Sequence, residues 1–186
     1  MASRLSREDW VRTALDVIAD RGVDSVVIDD LAELLGATKG SFYWHFPSRE
    51  ALLVAAVELW EEERTAVGHR LLVEVANPRE RLRQLFAEAF AYSHAGRIEA
   101  AFVAHADVAG IGPVIRRTTQ RRIEFTAAAL RSLGLRPAQA RRRAQIAYGA
   151  YLGLYALRIG DAGEVPGDGR RLSAFVDELL NVLTTN

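Results

Sequence analysis

The chain has 186 residues, 49% of them hydrophobic, with 24 basic side chains, 24 acidic ones and no cysteine. One or two compact domains fit that length and apolar content, while disulfide scaffolds, thiolate metal sites and cysteine nucleophiles are excluded. Residues 1–50 carry six bases against nine acids, so bulk charge gives no cue to a nucleic-acid partner, and any such cue must be local.

The first ten residues, MASRLSREDW, contain no apolar core of signal-peptide length. No run approaches a membrane span, so a cytoplasmic protein is expected. Ser6 followed by Asp9 resembles a capping box, and apolar residues at helical spacing from Trp10 to Ile18 predict a first helix ending at Arg21-Gly22. A short second helix is expected from Ile28 to Leu35, closed by Gly36. Thr38 caps a third, about Lys39 to His45, which Pro47-Ser48 stops before a fourth over 49–67. Asn77-Pro78 opens a fifth, closed by Gly96. A sixth is expected to reach Ala109. Gly110-Ile111-Gly112-Pro113 then breaks the chain, and a seventh ends at Leu133-Gly134. An eighth covers 137–159, a loop 160–169, and a ninth 170–184. No strand or repeat is visible. The expected fold class is all-α with about nine helices: an N-terminal helix-turn-helix domain of three helices over 1–47, then a C-terminal helical bundle over 48–186, with helix 48–67 as connector.

The stretch GATKGSFYWHFP, 36–47, concentrates rings beside the only lysine of the chain. Two short helices joined by a glycine-containing turn read as a helix-turn-helix, whose second helix enters a DNA major groove. At about 100° per residue, Phe42 and Phe46 share one side and face the core. Gly40 and Trp44 lie opposite. Ser41 and His45 flank one edge, Lys39 and Tyr43 the other. A short amphipathic helix filling a small core explains the pattern equally well from periodicity alone.

The longer string, GVDSVVIDDLAELLGATKGSFYWHFPSREALLVAAVELW over 22–60, resembles the DNA-binding region of TetR-family transcriptional regulators. The matching elements are Ile28, Leu31-Ala32 and Gly36, then Thr38-Lys39-Gly40-Ser41-Phe42-Tyr43, then His45-Phe46 and Ser48-Arg49-Glu50-Ala51-Leu52. The resemblance covers about residues 6–65. It implies that Lys39, Ser41, Tyr43 and His45 contact phosphates or base edges, that Thr38 caps the recognition helix and touches the DNA backbone, and that Gly40 permits close approach. Trp44 occupies a variable position on the same face. Arg49 stands where the family usually has lysine and is expected to contact a phosphate. Val27 replaces the usual Ser or Thr cap of the second helix, and Asp29 and Asp30 add negative charge beside the expected DNA face. Both departures predict modest non-specific affinity and a shallow salt slope. Arg4 and Arg7 read as either a minor-groove arm or a solvated terminus.

In the bundle, Tyr148, Tyr151 and Tyr155 share a face of helix eight with Leu152 and Ile159, while Gly149, Gly153, Ala156 and Gly160 lie about 100° around it. Helix nine is apolar over more than one partner requires. The family resemblance implies homodimerisation through helices 137–159 and 170–184; intrachain packing is the alternative. Candidate cavity residues are the tyrosines with Phe86, Phe90 and His94 on helix five, Phe102 and His105 on helix six, and Phe125 on helix seven. Each is a core ring or a cavity wall. The Arg pairs at 116–117 and 121–122 read as solvated faces or as partners of an acidic ligand. His94, His105 and Asp107 share no helix face, so no metal or other cofactor is expected.

The expected function is that of a sequence-specific, homodimeric DNA-binding regulator, a repressor released from a near-palindromic operator by a small-molecule effector, and not an enzyme. Two rivals stay open: a helical-bundle small-molecule-binding protein or enzyme without DNA binding, and a helix-turn-helix that contacts protein.

Overall fold

Helix is the only regular structure among the residues described by a computed structural model of the chain, 5–91, 93–108, 110–159 and 169–185, the side chains of His69, Leu72 and Ile159 excepted. In chain order the elements are α1 (Arg7–Arg21), a single 3₁₀ turn (Val23–Ser25), α2 (Ile28–Leu34), α3 (Lys39–Tyr43), α4 (Arg49–Glu74), α5 (Pro78–Phe90), α6 (His94–Ala104), α7 (Ile111–Ser132), α8 (Pro137–Ile159) and α9 (Gly169–Thr184). The chain divides into two compact units, one of Met1–Glu63 with Arg97–Arg116, the other of Arg64–Gly96 with Arg117–Asn186.

In the first unit, local chemistry sets the helix ends. The Asp9 N–H donates to Ser6 Oγ at 3.2 Å, and the Ser6 N–H donates to the Asp9 carboxylate at 2.7 Å, completing the capping box. That amide holds the Asp9 carboxyl below its ordinary value. Between α2 and α3 the Gly36 N–H donates to Glu33 O and the Ala37 N–H to Ala32 O, a Schellman turn that needs the left-handed φ of +61° at Gly36. Thr38 then caps α3 by accepting the Ser41 N–H at 3.2 Å. The core beneath gathers Trp10, Ile18, Val23, Leu31, Phe42 and Phe46 with Leu53, Trp60 and Phe102.

In the second unit α5 packs against α8 and α9. Asn77 caps α5, and Arg79 reaches Asn181 at 2.7 Å and Thr184 at 3.1 Å on α9. Arg143 of α8 donates to the carbonyls of Leu183 and Thr185, closing the C-terminus of α9. Leu172, Val176, Leu180 and Leu183 are the buried face of α9.

Several boundaries differ from the sequence expectation. The helix expected to stop at residue 67 continues to Glu74. Gly68 does not break it; its bare backbone faces Phe125, whose Cε2 lies 3.6 Å from the position a Cβ would take. Gly96 does not close α5, which ends at Phe90. It sits in the first turn of α6, where its N–H donates to Ser93 Oγ, and a Cβ there would stand 1.9 Å from Tyr155 Oη. Pro113 lies in the first turn of α7, where a missing N–H is tolerated. α6 ends at Ala104 and α3 at Tyr43, each short of the expected limit. Arg4, Gly160 and most of the segment read as a loop lie outside the described residues.

Phe42 is fully buried. Phe42→Ala should therefore cost ~3–5 kcal/mol in urea unfolding, and an unchanged midpoint would mean that this ring does not anchor α3.

Candidate functional site

A helix of five residues has almost no stability of its own. α3 is held by Phe42, whose ring lies edge-on to Trp10 at 5.4 Å and stacks on Phe46 at 5.7 Å. With Phe42 turned inward, its neighbours turn outward. Trp44 is 85% exposed and Tyr43 52%. Thr38, Lys39 and Gly40 are also exposed, and Ser41 and His45 are half-buried. Thr38, Gly40, Ser41, Trp44 and His45 line one shallow hollow together with Leu5. The helix thus offers hydroxyl, imidazole and indole groups around a backbone left bare at Gly40.

The charges around this surface are largely paired. Lys39 Nζ lies 2.9 Å from the Asp29 carboxylate of α2, and that hydrogen bond raises the ammonium above its ordinary value. Both groups are exposed, so the pair adds little to stability, but it neutralises the lysine. Val27 is the N-cap of α2 and supplies no side-chain bond. Arg7 opens α1 with its guanidinium 4.6 Å over the Phe46 ring, so it is part of a helix and not of an arm.

Arg49 differs from expectation. Its Nε donates to Val26 O and its Nη2 to Val23 O, both at 2.7 Å, so the guanidinium is turned onto the α1–α2 connection. Two side chains of α6 and the turn after it reach the same segment. Arg97 donates to Ala19 O at 3.1 Å and pairs with Asp20 at 3.0 Å, and His105 lies 3.2 Å from Asp24. Sequence reasoning missed Arg97, and nothing local could have found it, because its partners lie 77 and 78 residues away.

In the second unit a cavity of about 190 Å³ collects five of the nine expected lining residues: Phe86 and Phe90 of α5, Phe125 of α7, and Tyr148 and Tyr151 of α8. Arg64, Arg121, Arg122 and Thr118 join them. Tyr148 Oη also lies 3.2 Å from Thr119 Oγ1. The other four expected residues are elsewhere. Tyr155 is buried with its Oη donating to Ala89 O at 3.1 Å, and His94 is exposed. Phe102 and His105 belong to the first unit, Phe102 against Trp60 at 6.0 Å and His105 beside Asp24. Among the described residues no group of three or more His, Asp or Glu is placed to hold a metal ion, and no helix is long and apolar enough to cross a membrane.

Residues 11–59 match the family model of bacterial regulatory proteins of the tetR family. Over these residues the chain carries a domain of that family's N-terminal type. A tetracycline repressor protein of class C from Escherichia coli is 41% identical over 56 residues, which cover 30% of this chain and 26% of that one; the match thus spans about a quarter of the relative's length. The fold extends further than the sequence likeness. A putative transcriptional regulator from Saccharomonospora viridis, solved with choline, superposes with a TM-score of 0.83 at 20% identity, covering 94% of this chain and 95% of that one. AibR, solved with isovaleryl coenzyme A and operator DNA, superposes with a TM-score of 0.73 at 21% identity, covering 96% and 97%.

Within this TetR-family domain Arg49 tests the internal arrangement. Arg49→Met leaves the carbonyls of Val23 and Val26 without their charged donor and should lower stability by about 1–2 kcal/mol, read as a lower thermal midpoint. An unchanged midpoint would leave Arg49 with no structural role.

Proposed function

We propose that this chain is a homodimeric, sequence-specific DNA-binding regulator of the TetR family, a cytoplasmic repressor released from its operator by a small molecule, and not an enzyme. The observation that carries the reading is α3. Phe42 and Phe46 fix its roll, and Thr38, Lys39, Gly40, Ser41, Tyr43, Trp44 and His45 are left on the solvent side. Lys39, Tyr43, Ser41 and His45 supply donors to phosphates and base edges, and Trp44 adds apolar contact. Arg49 acts through the α1–α2 connection instead of on a phosphate. Residues 1–47 are the DNA-reading part and 48–186 the effector and dimer part, with 48–67 between them.

Dimerisation through α8 and α9 is supported by a stripe open in the single chain. Ile146 and Leu157 are exposed on α8, nothing stands within 4 Å of a Cβ placed at Gly149 or Gly153, and Val182 is exposed on α9. Small residues at that spacing let a second helix approach closely. Two recognition helices then read half-sites about one DNA turn apart. The cavity of the second unit is the effector site. A ligand that prefers the conformation unfit for DNA lowers operator affinity, and operator DNA lowers ligand affinity by the same factor.

Selection of bound sequences from a random duplex library tests the reading: a near-palindromic motif is expected, and recovery of none from refolded, ligand-free protein would overturn it. Lys39→Ala and Tyr43→Phe should weaken binding of that motif without moving the melting temperature. Asp29→Asn releases Lys39, so DNA affinity should rise and the plot of log K against log salt should steepen by about one per subunit. An unchanged slope would mean that Lys39 reaches no phosphate.

A further inference from the structure

We propose that the cavity of the second unit takes a small uncharged aromatic molecule of about one ring; this names the ligand class of the effector site and rests on reading the cavity as that site. Its wall is a set of rings already in contact. Phe86 meets Phe90 at 6.0 Å and 77°, Phe90 meets Tyr151 at 5.9 Å and 80°, and Tyr148 lies 6.0 Å from Tyr151. All four line the cavity, and Phe125 of α7 adds a fifth ring from another helix. Aromatic pairs prefer edge-to-face or offset arrangements with centroids about 4.5–7 Å apart. A guest ring continues this packing. A saturated ring of the same size fills the space without the edge-to-face attraction.

Size also favours one ring. The cavity holds about 190 Å³, and an apolar cavity of ~150 Å³ is enough for benzene. A single ring with a methyl or hydroxyl substituent fits, and the space is below the ~300–1,000 Å³ of drug-sized sites. Charge does not favour an ion. No Asp or Glu lines the cavity among the described residues, so an ammonium finds no carboxylate there. A carboxylate would have to compete for Arg121 and Arg122, both at the wall, with the partners those side chains already hold. Arg64, the third guanidinium of the lining, is only half-buried and keeps part of its hydration. Taking an ion from water into a largely apolar space costs affinity unless it is paired there. An uncharged ring carries no such cost.

The test is calorimetric titration into the full chain without DNA. The probe is p-cresol, uncharged at neutral pH, beside three molecules of similar size: methylcyclohexanol, benzoate and benzylamine, the last two charged. p-Cresol should bind about five-fold or more tighter than methylcyclohexanol, and ten-fold or more tighter than either ion. Phe86→Leu and Phe125→Leu should each remove most of the lead over methylcyclohexanol while the variant keeps a cooperative melting transition, which a misfolded chain would not show. A saturated ring or an ion that binds as tightly as p-cresol, a lead that survives both substitutions, or no p-cresol binding at millimolar concentration would overturn the proposal. Operator affinity measured with p-cresol bound separates the two readings. Ring-dependent binding that leaves operator affinity unchanged supports this ligand class and sinks the effector role. An ion that binds this cavity and releases DNA, where p-cresol does not bind, does the reverse.

Discussion

The N-terminal helix-turn-helix depends on one buried ring. α3 has five residues and about one hydrogen-bonded turn, too little to form without tertiary support. Phe42 supplies that support from between Trp10 and Phe46. Because α-helical side chains advance by about 100° per residue, pinning one of five decides where the other four point. Gly36 then fixes where the helix starts. Its left-handed backbone closes the Schellman turn, and a residue with a Cβ would strain at that φ. The roll of the helix and its point of entry are therefore set by one buried ring and one glycine.

The electrostatics of this unit are organised inward. Arg49, Arg97 and His105 reach the stretch from Ala19 to Val26 and bond its carbonyls or its two aspartates. Lys39 is matched by Asp29. A domain whose first fifty residues carry more acid than base, and whose cations are mostly bonded within it, has little charge left for non-specific attraction to phosphate. In the proposed DNA-reading role, selectivity falls to the uncharged groups of α3, whose contacts would depend on geometry more than on net charge.

What was legible in the sequence was what closes within a turn or two. The capping box at Ser6, the Thr38 cap, the Asn77-Pro78 start and the inward faces of Phe42 and Phe46 all follow from residues three or four apart, and all appear where the pattern places them. Glycine was less legible. Gly36 ends a helix, but Gly68 and Gly96 lie within one, and at Gly96 a Cβ would collide with the ring of Tyr155, which arrives from far along the chain. From the glycine alone, a stop and a space look the same. The wheel likewise shows that Phe102 and Tyr155 are buried, but not against what. Phe102 meets Trp60, and Tyr155 meets the backbone of Ala89. Arg49 reads as a cation near the motif, and its carbonyl partners 23 and 26 residues earlier have no sequence signature.

α8 explains why the second unit was harder to read than the first. One side of the helix carries Tyr148 and Tyr151 into the cavity wall and Tyr155 into the core beside it. The adjoining side carries Ile146 and Leu157 exposed, and among the described residues nothing stands within 4 Å of a Cβ placed at Gly149 or Gly153. The two stripes are offset by a fraction of a turn on one rigid rod, so the apolar pattern from Ala144 to Leu157 points to no single face. That ambiguity is itself informative. A helix that serves a single core needs one apolar stripe; one that is cavity wall on one side and the proposed dimer surface on the other needs two. Any shift of α8 that accommodates a ligand against Tyr148 and Tyr151 then also displaces the open stripe, because a packed helix moves as a body and does not bend to absorb the change. Ligand occupancy and subunit pairing are in that case two readings of the same helix position.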